Sequence, residues 1–120
     1  MTVSEHEIHY LEIVTPDAEA SCDFYGQTYG WRFEKMAPEL GGAFVAALSN
    51  GSLCGIRAPM HELEKPTVRT YVRVTDIYAS IQKAGELGAV VALEPMEIPG
   101  RGMIAIYLYG GVEQGMWQLP

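Results

Sequence analysis

Two groups near the start of the chain invite chemistry. His9 and Glu12 stand close together in "EIHYLEIVTPD", residues 7–17. A histidine beside a carboxylate can hold a divalent metal or move a proton, and it can equally be a packed strand residue. Arg69 and Arg73 flank Tyr71 in "RTYVRV", residues 69–74. A guanidinium can grip a carboxylate or phosphate with two parallel N–H donors. Trp117, with Tyr10 and Tyr71, offers aromatic faces to a planar ligand or a cation. The remaining reactive residues are scattered. His6 lies in a polar lead and His61 in a linker, and both read as solvated. Cys22 and Cys54 form no CxxC pair and read as structural thiols of a reducing cytoplasm. No spacing suggests a Ser–His–Asp or Cys–His nucleophile, and no glycine-rich loop suggests a phosphate cradle.

Bulk properties narrow the classes. A chain of 120 residues, 48% apolar and 19% charged, supports one folded domain with a modest core. A formal charge of −7 argues against nucleic acid or an anionic membrane as partner, since both need a basic face. The opening "MTVSEHEIHY" has no basic or apolar leader character. The runs "AFVAAL" and "AVVAL" are too short to span a bilayer. A cytoplasmic protein is expected.

The elements that must carry these residues repeat. Residues 8–14 alternate as a strand, with Leu11 and Ile13 on one face and Tyr10 and Glu12 on the other. Thr15-Pro16-Asp17 then starts a helix, capped by Thr15 or by Asp17, with the stripe Ala18, Cys22, Tyr25, Tyr29 and a stop at Gly30. Residues 69–74 alternate likewise, with Val72 and Val74 opposite Arg69, Tyr71 and Arg73. Thr75-Asp76 starts a second helix with the stripe Ile77, Ile81, Ala84 and a stop at Gly88. "DAEAS" and "DIYAS" lie 59 residues apart, and the turns Asn50-Gly51 and Gly110-Gly111 lie 60 apart. Two independent marks with one period indicate an internal duplication. Each half reads strand, helix, strand, strand, strand. The other strands are expected at 31–36, 43–49, 52–57, 90–93, 102–109 and 112–118. Asn50-Gly51 is read as a two-residue hairpin turn and 94–102 as a loop turning at Pro99-Gly100. Module 1 (8–57) and module 2 (69–118), joined by the linker 58–68, make one α+β domain over residues 1–120.

This pattern resembles the vicinal oxygen chelate superfamily of glyoxalase I, bleomycin-resistance proteins and extradiol dioxygenases. The residues that carry the likeness are "EIVTPDAEASCDFYGQTYGW", "YVRVTDIYASIQKAGELGAVV" and "IPGRGMIAIYLYGGVEQGMWQ". The resemblance implies two βαβββ modules forming a curved, bowl-shaped mixed sheet with helices outside, the site inside, and homodimers. It also implies a divalent metal held by three or four His and Glu ligands from the first and last strands of each module.

Strand parity tests that metal. His9 shares the parity of Leu11 and Ile13 and is placed with the helix-facing set; Tyr10 and Glu12 face the bowl. Sliding the superfamily pattern along the chain puts its usual ligand positions at Tyr10, Arg69 and Gly115. The fourth strand, "SLCGIR" at 52–57, offers no His, Asp or Glu. An arginine stays protonated and cannot ligate. The expectation is therefore a bowl without the superfamily metal, binding a small organic molecule. Tyr10, Arg69, Tyr71, Arg73, Glu113 and Trp117 contact the ligand, and Glu12 is the proton acceptor if a reaction occurs. Glu12 pairing with Arg69 or Arg73 is the alternative role for that carboxylate, and Trp31 is read as packing. The rival function is a lyase, isomerase or dioxygenase using Zn, Ni, Fe or Mn.

Overall fold

The computed structural model describes residues 4–34 and 36–120. Among these residues eight strands and two α-helices follow one order twice, with a short 3-10 helix at Pro38–Leu40 added in the first half. In the first module, β1 (Ile8–Val14) leads to α1 (Ala18–Tyr29), then β2 (Met36–Ala37), β3 (Ala43–Ala47) and β4 (Leu53–Arg57). In the second, β5 (Thr67–Arg73) leads to α2 (Ile77–Glu86), then β6 (Val90–Ile98), β7 (Gly102–Tyr109) and β8 (Val112–Gln118). The strand order is β2-β3-β4-β1 in the first module and β5-β8-β7-β6 in the second. In each, the first strand runs parallel to the last and the other pairs are antiparallel. The two βαβββ modules expected from the repeat are present. The compact units are residues 10–68 and residues 4–9 with 69–120, so Ile8 and His9 belong with the second module although β1 continues into the first.

Each helix covers one face of its own module's strands. In module 1, Leu11, Ile13, Cys54 and Ile56 pack against Ala18, Cys22 and Tyr25 of α1, with Trp31 and Phe33 alongside. In module 2, Val74 and Ala105 pack against Ile77 and Ile81 of α2, joined by Met103, Tyr107 and Met116. Burying an isoleucine side chain stabilises by about 1.5–3 kcal/mol, so these stripes fix which strand face meets the helix. The opposite faces carry Tyr10, Glu12 and Arg57 in module 1 and Tyr71 and Trp117 in module 2.

The helix ends follow the sequence with one difference. Asp76 caps α2 by accepting from the Ala79 N–H at 3.1 Å. Asp17 precedes α1 without a side-chain cap bond. Gly88 closes α2 in a left-handed conformation, with Ala89 N–H donating to Ala84 C=O and Gly88 N–H to Gly85 C=O.

Three expectations need correction. Residues 31–34 form no strand: Trp31 and Phe33 are drawn onto the α1 core, Glu34 N–H donates one hydrogen bond to Val45 C=O at 2.9 Å, and β2 begins at Met36; residue 35 of the expected strand lies outside the described residues. The Asn50-Gly51 hairpin is a three-residue loop, not a two-residue one. Leu48 N–H donates to Ser52 C=O, Gly51 alone takes a positive φ of 92°, and the Asn50 side chain caps Ser52 N–H. Residues 94–98, read as loop, extend β6 to Ile98. Pro95 sits where the β6–β7 register shifts, and β6 pairs with β7 alone within its module, so its missing N–H is tolerated there. The Gly110-Gly111 turn is a two-residue hairpin with both φ positive, and Pro99-Gly100 turns as expected, with Arg101 N–H donating to Ile98 C=O.

Candidate functional site

On the helix-free face of module 1, β1 and β4 run parallel with Tyr10 opposite Leu53, Glu12 opposite Gly55 and Val14 opposite Arg57. Tyr10 is buried and its ring crosses the strand gap, so a Cβ on Gly55 would overlap its hydroxyl. Glu12 is buried and accepts from Arg57 Nε at 2.9 Å. The Arg57 side chain is 6% exposed. Its two terminal nitrogens donate to the two carboxylate oxygens of Glu64 at 2.8 and 2.7 Å, and one of them also to the Ala58 C=O at 3.1 Å. One buried cation thus holds two carboxylates. The Arg57 hydrogen bonds hold the Glu64 carboxyl down at about 2, against an ordinary 4.5, and Arg57 is correspondingly held protonated.

On the helix-free face of module 2, the register places Tyr71 opposite Gly115 and Arg73 opposite Trp117. The Tyr71 ring lies where a Gly115 side chain would stand, and it meets Trp117 edge-on at 5.7 Å. Trp117 is only 2% exposed, and its indole N–H donates to the Arg101 C=O at 2.7 Å. Arg69 pairs with Glu113, the arginine 11% and the glutamate 45% exposed at the side chain. Arg73 donates its backbone N–H to Glu7 C=O and accepts from His6 N–H. This two-against-one pairing is a bulge that holds His6 at a φ of 68°.

His9 differs from the parity reading. Its imidazole is buried and packs edge-on against Trp117 at 5.1 Å, in the second module, while Leu11 and Ile13 pack on α1. Alternation gives the side of a strand but not which module's residues cover that side. Its Nδ1 is buried with no hydrogen-bond partner among the described residues. Burial, followed by the charges of Arg73 and Arg101, lowers its pKa from 6.5, so the ring is neutral at pH 7.

The two modules hold equivalent positions in a reciprocal way. Glu12–Arg57 in the first occupies the place of Tyr71–Trp117 in the second, judged by the partners Gly55 and Gly115. Both glycines are overlain by tyrosines. The resemblance puts the superfamily's last-strand carboxylate at Gly115, and the ring of Tyr71 lies where a side chain there would stand. Tyr10 is a poor ligand while protonated, and Arg69 is a cation. These residues do not fit the superfamily metal. The described residues also contain no cluster of three His, Cys, Asp or Glu side chains suited to a metal ion.

Sequence reasoning missed two members of this constellation, Arg57 and Glu64. Arg57 has the same strand parity as Gly55, which was a usable signal. Glu64 sits in a polar linker, where nothing in the sequence marks it as turned inward.

No protein-family model matches the chain. CFP32 of Mycobacterium tuberculosis, which carries the name glyoxylase, is 28% identical over 116 residues, covering 92% of this chain and 44% of that protein. The anthracycline biosynthesis protein DauV of Streptomyces sp. strain C5 is 24% identical, covering 82% of this chain and 41% of its own length. The chain thus spans less than half the length of these curated relatives. Methylmalonyl-CoA epimerase of Mycobacterium tuberculosis superposes over all of this chain and 93% of its own, with a TM-score of 0.74 at 16% identity. A hypothetical protein of Bacillus halodurans C-125 does so over 95% of this chain and 94% of its own, with a TM-score of 0.76 at 15% identity. The chain has the glyoxalase-like fold of the vicinal oxygen chelate superfamily.

Proposed function

We propose that this chain binds a small organic molecule on the helix-free faces of its modules, without the metal of its superfamily. The observation that carries the reading is the tyrosine laid over glycine at Gly115, where the superfamily places a metal-binding carboxylate. On module 2, Arg69, Arg73 and Glu113 meet the ligand, with Tyr71 and Trp117 as the apolar wall behind them. On module 1, Tyr10 and Glu12 do so. Apolar walls with a few placed charges are how small-molecule sites are built. The anthracycline-related name of one relative makes planar aromatic compounds the first probes.

A second reading rests on Glu12. Its burial beside Arg57 gives a positioned carboxylate that could accept a proton in a lyase or isomerase step. Two measurements separate the readings. Elemental analysis after dialysis against Ni²⁺, Zn²⁺ or Fe²⁺ is expected to show no stoichiometric metal, and tightly held metal would overturn the metal-free reading. A thermal-shift screen of planar aromatics and of acyl thioesters is expected to raise the melting temperature by mass action, less so in Arg73→Gln. A hit that stabilises Arg73→Gln equally removes Arg73 from the site. Turnover of a hit, lost in Glu12→Gln, favours the enzyme.

A further inference from the structure

The segment 58–66 runs almost wholly in solvent. Met60, His61, Glu62, Leu63, Lys65 and Pro66 are exposed, Leu63 to 86%. Pro59 and Glu64 are half-buried, and what Glu64 meets is the buried guanidinium of Arg57 in a two-oxygen, two-nitrogen fork. The same carboxylate accepts the Met60 N–H at 2.8 Å, which ties the segment's own backbone to the fork. Glu12 already lies on Arg57 Nε, so the charge of Arg57 is balanced before Glu64 arrives. A second carboxylate on a balanced arginine, delivered by an otherwise exposed segment, has the geometry of a bound ligand.

We propose that Arg57 is a carboxylate-recognition group, and that segment 58–66 is a strap whose Glu64 holds the place of a ligand carboxylate. This rests on the reading of module 1's helix-free face as a ligand surface, and it names the ligand class as a small organic carboxylate. Exchanging Glu64 for an outside carboxylate keeps the charge on Arg57 and its two-nitrogen fork, and frees the Met60 N–H from that fork. The other difference is the tether, which presents Glu64 at an effective concentration in about the millimolar range. Ligand affinity in the intact chain is reduced by the fraction of time the strap is lifted. A segment with little buried surface lifts at small free-energy cost.

Acetate is the probe. Glu64→Ala is expected to gain thermal stability from sodium acetate, saturably and beyond sodium chloride at equal ionic strength, with an affinity about tenfold above that of the unaltered chain. Adding Arg57→Gln is expected to abolish the gain. A folded Glu64→Ala protein that responds alike to acetate and chloride overturns the proposal. Should Glu64→Ala not fold, Glu64→Gln takes its place, with the Met60 amide resonance as the reporter. A Met60 amide that acetate leaves unmoved there overturns the proposal equally. A chain that takes acetate at Arg57 but none of the aromatic or thioester probes leaves this inference standing and sinks the broader reading.

Discussion

Gly55 and Gly115 owe their importance to what crosses them. Neither has a positive φ, so the demand is steric: a methyl group at Gly115 collides with the Tyr71 ring. Gly115→Ala is expected to cost about 1–3 kcal/mol in urea unfolding. In a Tyr71→Ala background the added cost should shrink sharply, because the clash has gone. Two titrating groups act in separate pH windows. Glu64 has a native pKa of about 2 against 4.5, so its stabilisation is full above about pH 4.5 and is lost as pH falls toward 2. Glu64→Gln should flatten that acid limb and cost about 1 kcal/mol at neutral pH, because Glu12 keeps Arg57 paired. His9 has a native pKa below 6.5, so stability is full above that value and falls below it as the unfolded chain takes up the proton first. Urea unfolding between about pH 5 and 7 should show this slope, and His9→Phe should remove it.

At the scale of elements, the two helices have unequal starts. Asp76 accepts a backbone N–H and Asp17 accepts none through its side chain. Asp76→Ala should therefore cost about 1 kcal/mol and Asp17→Ala clearly less, both read from urea midpoints. The helices and the paired strands at 8–14, 102–109 and 112–118 were legible because periodicity and stop signals agree there. Residues 31–34 misled because aromatic residues favour strands in general, whereas here Trp31 and Phe33 serve the α1 core. Residues 94–98 misled because Pro95 and two glutamates hide an edge strand. Asn50-Gly51 marked a turn correctly but not its length, since the closing pair Leu48–Ser52 is set by strand register.

At the scale of the molecule, the duplication gives two modules with the same topology and different faces. Among the described residues no helix is long and apolar enough to cross a membrane. We expect this chain to pair with a second copy, as its resemblance to the superfamily implies. Light scattering at working concentration should give a dimer mass; a monomer would reject that expectation.

The sequence alone determined the modules, their order and the helix-facing stripes, because these are written in period, punctuation and residue type. It also placed Tyr10 and Glu12 on one strand face, by alternation alone. Only the tertiary structure decided which partners those faces meet. Arg57 is brought to Glu12 by the parallel β1–β4 register, Glu64 arrives from a linker with no pattern of its own, and His9 packs with Trp117. Alternation specifies a direction along one strand. The partner at the end of that direction is fixed by residues distant in sequence, through register and packing that no local pattern encodes.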